Sequence, residues 1–182
     1  ALILANQRGA EAYAKHHRIV VDKLPRITGW GHVNAPMLFT EKLRVAETGD
    51  GVPFPHVRQT LVQALTRAGL DINHLDGIEL HDCFNITEYM ILDHLGLRPQ
   101  GEIWQAIEAG YFEKNGTLPV NASGGLIGLG HPVGATGVRM VLDCYKQVTG
   151  TAGDTQIDNA KRMMTFNVGG STTTCASFVI EA

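Results

Sequence analysis

A chain of 182 residues with 44% hydrophobic content is long enough to bury one sizeable core and too apolar for disorder. Its 15 basic and 18 acidic residues give a formal net charge of -3 and lie scattered, so no basic stripe is available to neutralise a nucleic-acid backbone. No apolar run reaches the roughly 20 residues of a membrane-spanning helix, and Cys83, Cys144 and Cys175 lack the spacing of a disulfide framework or a zinc site.

The expected setting is therefore cytoplasmic and reducing, with no nucleic-acid or membrane partner. Ala1-Leu2-Ile3-Leu4-Ala5 reads as a core strand entered midway, as in a piece of a longer protein. Residues 6–17 have helix-forming composition, and 25–31 read as a strand ending in glycines. Pro36, Gly49, Asp50, Gly51, Pro53 and Pro55 punctuate a long loop over 34–55. Val57, Leu61, Ala64, Leu65 and Ala68 recur at three- and four-residue steps, which predicts a helix over 56–68 stopped by Gly69.

Residues 78–80 form a short strand, and 84–95 a helix with Ile86, Tyr89, Met90 and Leu92 mostly inward and Gly96 as its cap. A shorter helix over 101–110 and a strand over 118–121 follow. After a glycine-rich run comes a helix over 138–148, then two strands, 162–168 and 172–180, joined by Gly169-Gly170. This alternation of strands and helices predicts an α/β layer that ends in a hairpin.

Three pieces are candidates for chemistry. The first is the glycine-rich loop of residues 121–137, where glycines let a ligand approach the main chain and Pro132 stiffens the backbone behind His131. It has neither the GxGxxG nor the GxxxxGK[ST] form of a nucleotide loop, and by itself a packed turn with a surface histidine explains it as well. The second is His81-Asp82-Cys83-Phe84-Asn85, a strand-to-helix junction from which side chains can reach a cleft; alone, its thiol reads as a small buried hydrophobe. The third is Phe166-Asn167-Val168-Gly169-Gly170, whose glycine amides can point at a developing oxyanion or simply close a hairpin. Cys144 and Cys175 are expected in the core. The remaining histidines, at 16, 17, 32, 56, 74 and 94, show no metal-ligand spacing, so no metal is expected.

Together these pieces resemble the C-terminal domain of the thiolase superfamily, over nearly the whole chain and most clearly from 77 to 170. Gly130-His131-Pro132, within Gly-Gly-x-Ile-x-Leu-Gly-His-Pro-x-Gly-Ala-Thr-Gly, is similar to the family's histidine loop. His81-Asp82-Cys83-Phe84 stands where most thiolases have Asn-Glu-Ala-Phe and resembles the sterol-carrier-protein-2-type variant. Asn167 stands where most carry a second catalytic cysteine, and in the variant subgroup Cys83 would take over its work.

The resemblance implies an α/β thiolase-like C-terminal domain, a mixed β-sheet with helices on both faces that forms half of an αβαβα layered fold. Residues 1–18 would be the end of the preceding N-terminal thiolase domain and a connector, and 19–182 the C-terminal thiolase domain. It implies an acyltransferase of the acetyl-CoA acetyltransferase or 3-ketoacyl-CoA thiolase type, homodimeric, with a coenzyme A thioester as substrate and no other cofactor. The nucleophilic cysteine belongs to the N-terminal domain, so this chain alone would be inactive. A thiolase-like aldolase acting on CoA-linked side chains and a non-catalytic acyl-CoA-binding subunit are the alternatives. The implied roles are oxyanion donor for His131, water holder for His81, acid and base for Cys83, and backbone oxyanion donors for Gly169 and Gly170. Asn121, Ser123, Gly124, Gly125 and Pro132 would bind substrate.

Overall fold

Four strands make one sheet in the order β1-β4-β3-β2, where β1 is Arg26–Asn34, β2 Gly77–Leu80, β3 Arg162–Gly169 and β4 Thr174–Glu181. In the computed structural model, which describes residues 1–48 and 52–182, β1 and β3 run antiparallel to β4 and β2 runs parallel to β3. The helices are α1 (Gln7–His17), α2 (Phe39–Thr48), α3 (Pro55–Ala68), α4 (Asn85–Asp93), α5 (Trp104–Glu108), α6 (Gly125–Leu129) and α7 (Thr136–Thr149).

Strand alternation divides the core between the two faces of the sheet. Met164 and Phe166 of β3 and Cys175 and Val179 of β4 pack with Val57, Leu61 and Ala64 of α3. Their neighbours Met163 and Ile180 point the other way, against Cys144 and Val148 of α7. The mixed sheet with helices on both faces is the expected architecture. Helix α3 lies directly on the backbone of β1: a Cβ at Gly29 would stand 2.0 Å from the Ala64 carbonyl oxygen, and one at Gly31 2.0 Å from that of Thr60. Pro55 opens α3, where a missing N–H costs nothing, and Gly69 ends it at φ 70°.

Several expectations fail locally. Residues 1–5 form no strand, and Ile3 and Leu4 are 94% and 74% exposed; a strand exists through its ladder partner, and none of the described residues pairs with this segment. The expected long loop contains α2, because the helix-forming run around Glu41 and Lys42 outweighs the flanking prolines. Gly49, Asp50 and Gly51 of that loop lie outside the described residues.

Helix α4 is shorter than expected at both ends, with His94 rather than Gly96 at its cap and Ile86 turned outward. Helix α5 covers only the middle of its expected range. Residues 118–121 contribute one parallel bridge, Ile78 with Val120, since Pro119 has no N–H to extend a ladder. The hairpin between β3 and β4 is centred on Ser171 and Thr172, not on Gly169-Gly170.

Gly31→Ala is expected to destabilise the fold by about 1–3 kcal/mol, because α3 must lift off the strand. A melting temperature equal to that of the unsubstituted protein would show that the contact is not a constraint.

Candidate active site

The parallel register of β2 and β3 ends with Leu80 opposite Phe166, and the His81 amide donates to the Phe166 carbonyl at 3.0 Å. The next residues, His81 and Asn167, therefore sit side by side at one end of the sheet. Their side chains meet at 2.6 Å, His81 Nδ1 to Asn167 Oδ1. An amide oxygen only accepts, so Nδ1 carries the proton and Nε2 of the neutral ring keeps its lone pair. Burial lowers the proton affinity of His81; the Asn167 bond opposes this and nearby His131 adds to it. Burial thus favours the neutral ring.

His131 stands edge-on to His81, with ring centroids 5.0 Å apart and an interplanar angle of 88°. Its Nδ1 lies 2.7 Å from the hydroxyl of Thr136, which gives its own proton to the Pro132 carbonyl at 3.1 Å. The hydroxyl therefore accepts from Nδ1–H, and Nε2 is again the nitrogen left for other partners. The amides of Ala135 and Thr136 bind the same carbonyl, which pins the histidine loop to the start of α7.

Cys83 follows two residues after His81, just before α4, half-buried and with its sulfur 3.9 Å from the Thr87 hydroxyl. The other two thiols are buried, and desolvation pushes Cys175 up to about 12 and Cys144 well above its usual range. A cleft of about 610 Å³ brings together His81, Cys83, His131, Asn167, Gly169 and Gly170, and runs on to Phe54, Met90 and His94. His94 is committed to structure, with Nδ1 against the Met90 carbonyl at 2.6 Å and Nε2 accepting the Phe54 amide at 3.0 Å.

The other candidates, Asn121, Ser123, Gly124, Gly125 and Pro132, do not line this cleft. Asn121, itself at φ 51°, accepts the Leu80 amide and donates to Glu88. Ser123 gives its hydroxyl and amide to the two oxygens of Glu79, at 2.6 Å and 3.1 Å. Gly125 leaves room for Asp82, whose carboxylate would be 2.2 Å from a Cβ there and accepts the Leu126 amide at 2.6 Å. Gly124 and Pro132 are exposed. Three of these side chains and glycines thus stitch the glycine-rich loop to the β2–α4 junction and hold the two imidazoles at one distance. Among the described residues no group of three His, Cys, Asp or Glu is placed to hold a metal ion.

Residues 39–182 match the family described as Thiolase C-terminal domain-like. The chain belongs to that family. Its thiolase relatives include an acetyl-CoA acetyltransferase of Methanothermobacter thermautotrophicus, 40% identical over 65% of this chain and 31% of that protein. Sterol carrier protein 2 of Gallus gallus is 31% identical over 93% of the chain and 29% of that protein, which agrees with the sterol-carrier-protein-2 type. The chain thus spans less than a third of the length of these relatives. Among solved structures, a chain of an Ltp2-ChsH2(DUF35) aldolase shares the thiolase-like fold at TM-score 0.72 and 20% identity, over 87% of this chain and 39% of that one. No helix among the described residues is long and apolar enough to cross a membrane.

Sequence reasoning missed the residues that orient the imidazoles and the loop: Glu79, Asp82, Thr136, and Asn167 as the partner of His81. The signal was present for Thr136, inside the histidine-loop motif and five positions from His131. For Asn167, Glu79 and Asp82 the pairing was not legible, because their partners are 86, 44 and 44 positions away.

Two outcomes follow from this wiring. Asn167→Leu is expected to release Nδ1 of His81, visible as a mixed tautomer in ¹⁵N spectra of the imidazole; unchanged ring shifts would refute the assignment. Burial, the largest influence, raises Glu79 from 4.5 to about 7. A folded-state value above the unfolded one means that this contribution to stability is complete below pH 4.5 and is lost as pH rises through about 7. Glu79→Gln is expected to flatten the stability profile between those limits in urea titrations, and a slope equal to that of the unsubstituted protein would contradict it.

Proposed function

We propose that this thiolase domain supplies the acid–base and oxyanion half of an acyl-CoA acyltransferase that performs 3-ketoacyl-CoA thiolysis or the reverse Claisen condensation. The acyl-carrying cysteine would come from another part of the protein. The observation that carries the reading is the convergence of His81, Cys83 and His131 on one cleft, each imidazole tied back through Nδ1. The names of the acetyltransferase and of a benzoylsuccinyl-CoA thiolase subunit of Thauera aromatica, 31% identical over 68% of the chain and 31% of that subunit, support the same chemistry. Ile127, Leu129 and Val133 remain exposed near the histidine loop, apolar surface of the kind that an adjoining domain covers.

Condensation begins by removing a proton next to a thioester carbonyl. Cys83, whose own proton has gone to the CoA thiolate expelled when the nucleophile was acylated, takes that proton as a thiolate, and the electron pair moves onto the carbonyl oxygen as an enolate. Two donors then meet this oxygen. His131, having taken a proton on Nε2 from the acyl-accepting thiol before acylation, donates through Nε2–H. A water bonded to the Nε2 lone pair of His81 donates its other hydrogen. The enolate carbon attacks the enzyme-bound acyl carbon, and the new tetrahedral oxyanion faces the amides of Gly169 and Gly170. Collapse expels the enzyme thiolate and leaves the carbon–carbon bond; thiolysis is the same path reversed.

A second reading, aldol cleavage of a CoA-linked side chain, is kept in view by Asn167, which puts an amide where a second sulfur would otherwise face the cleft. In the full-length protein, His131→Ala and Cys83→Ala are each expected to lower kcat by about 10²–10⁴-fold. Turnover untouched in both variants would remove the mechanism. Release of a ketone or aldehyde without consumption of free CoA would assign the aldolase reaction, and tight acyl-CoA binding with no product would assign a carrier.

A further inference from the structure

The turn between β3 and β4 is held in an unusual way. The Gly170 carbonyl accepts the Thr173 amide at 3.0 Å, and the two central residues, Ser171 and Thr172, have φ of 51° and 65°. Gly170 before them is at φ 58°, so three successive residues are left-handed; positive φ at both central positions is what a type I′ turn requires and what Asn-Gly or Gly-Gly adopts without strain. Ser-Thr does not, and a β-branched residue with positive φ is an outlier. Strain of this kind persists only where the surroundings over-determine the backbone.

The Thr173 hydroxyl also donates to the Gly170 carbonyl and the Ala35 amide to the Thr173 carbonyl at 2.7 Å; the charged group that holds the turn from another element is Lys42. It sits on α2, is 3% exposed, and reaches 128 or more positions along the chain to the turn. Its Nζ donates to the Ser171 carbonyl at 2.7 Å, the Thr173 hydroxyl at 2.9 Å and the Gly170 carbonyl at 3.4 Å. All three acceptors are neutral and belong to the turn. Burying an ammonium on neutral oxygens is a costly way to close a hairpin that two glycines would close unaided. The turn is also part of the cleft wall: Gly169, Gly170, Ser171 and Thr172 line it together with His81 and His131.

We propose that Lys42 is a positioning residue, whose ammonium holds the left-handed turn and thereby fixes the Gly169 and Gly170 amides toward the oxyanion. This rests on the acyl-transfer reading given above. Lys42 touches no reacting atom in this scheme; it acts through the backbone.

The test uses the full-length protein and Lys42→Met, which keeps the aliphatic length and removes the donors. Expected are a fall in kcat of about 10²-fold with KM nearly unchanged, and faster amide hydrogen exchange at residues 169–173. Adding Ser171→Asn and Thr172→Gly, which favour the same turn without help, is expected to restore both. Unchanged kcat and exchange in Lys42→Met overturn the proposal, and so does a restored turn with kcat still low. If Lys42→Met alone does not fold, the comparison moves to the Asn-Gly turn with and without Lys42. Equal kcat there supports the proposal, and a continued need for the lysine overturns it. A wild-type protein that transfers no acyl group sinks the functional reading only; exchange then decides the role of Lys42, and amides in the variant as protected as in the wild type overturn it.

Discussion

The parallel pairing of β2 with β3 is the constraint on which the site depends. Residues 77–80 and 163–166 are matched one to one, so His81, just past the end of β2, falls beside Asn167, which stays in β3 opposite Ala176. That register alone brings an imidazole from one half of the chain within 2.6 Å of an amide from the other. A slip of one residue would turn His81 to the opposite face and disconnect it from both Asn167 and His131.

Around that pair the chain repeats one device. Polar groups that look available in the sequence are spent on orienting others: Asp82 holds the start of α6, Glu79 holds Ser123, and Thr136 holds His131. The result is a cleft lined by His81, Cys83 and His131, with the two Nε2 nitrogens uncommitted and the Cys83 sulfur in one long contact with Thr87. Pre-orientation of this kind lets a site stabilise developing charge without rearranging when the charge appears.

How much of this was legible depended on the range of the interaction. Helix α3, its glycine stop and the strands β3 and β4 are written in local periodicity and were read from it, and the two motifs bearing His131 and Cys83 carried the family resemblance. Local signals misled where a partner decides the outcome. The apolar residues 1–5 have strand composition but no ladder, and Gly169-Gly170 look like the centre of a turn that the chain instead makes with Ser171 and Thr172. Asn121 and Ser123 sit in the right loop, yet their side chains face the β2–α4 junction and not the cleft, a direction no spacing rule reveals. Lys42 gave no sign at all, being one lysine of an amphipathic helix whose buried contact lies across the molecule.

The contact of α3 with β1 has a further consequence for how such a scaffold can diversify. Because Gly29 and Gly31 put helix backbone against strand backbone, no side chain acts as a spacer between them, and the two elements behave as a single plate. The leading end of that plate carries Phe54, which is tied by its amide to His94 at the far end of α4. At that end the cleft is lined by Phe54, Met90 and His94, and the bond between the Phe54 main chain and the His94 side chain ties the plate to α4. Descendants of this sequence that accommodate a larger or smaller ligand there have the side chains of Phe54 and Met90 to resize, while the plate itself stays as one piece.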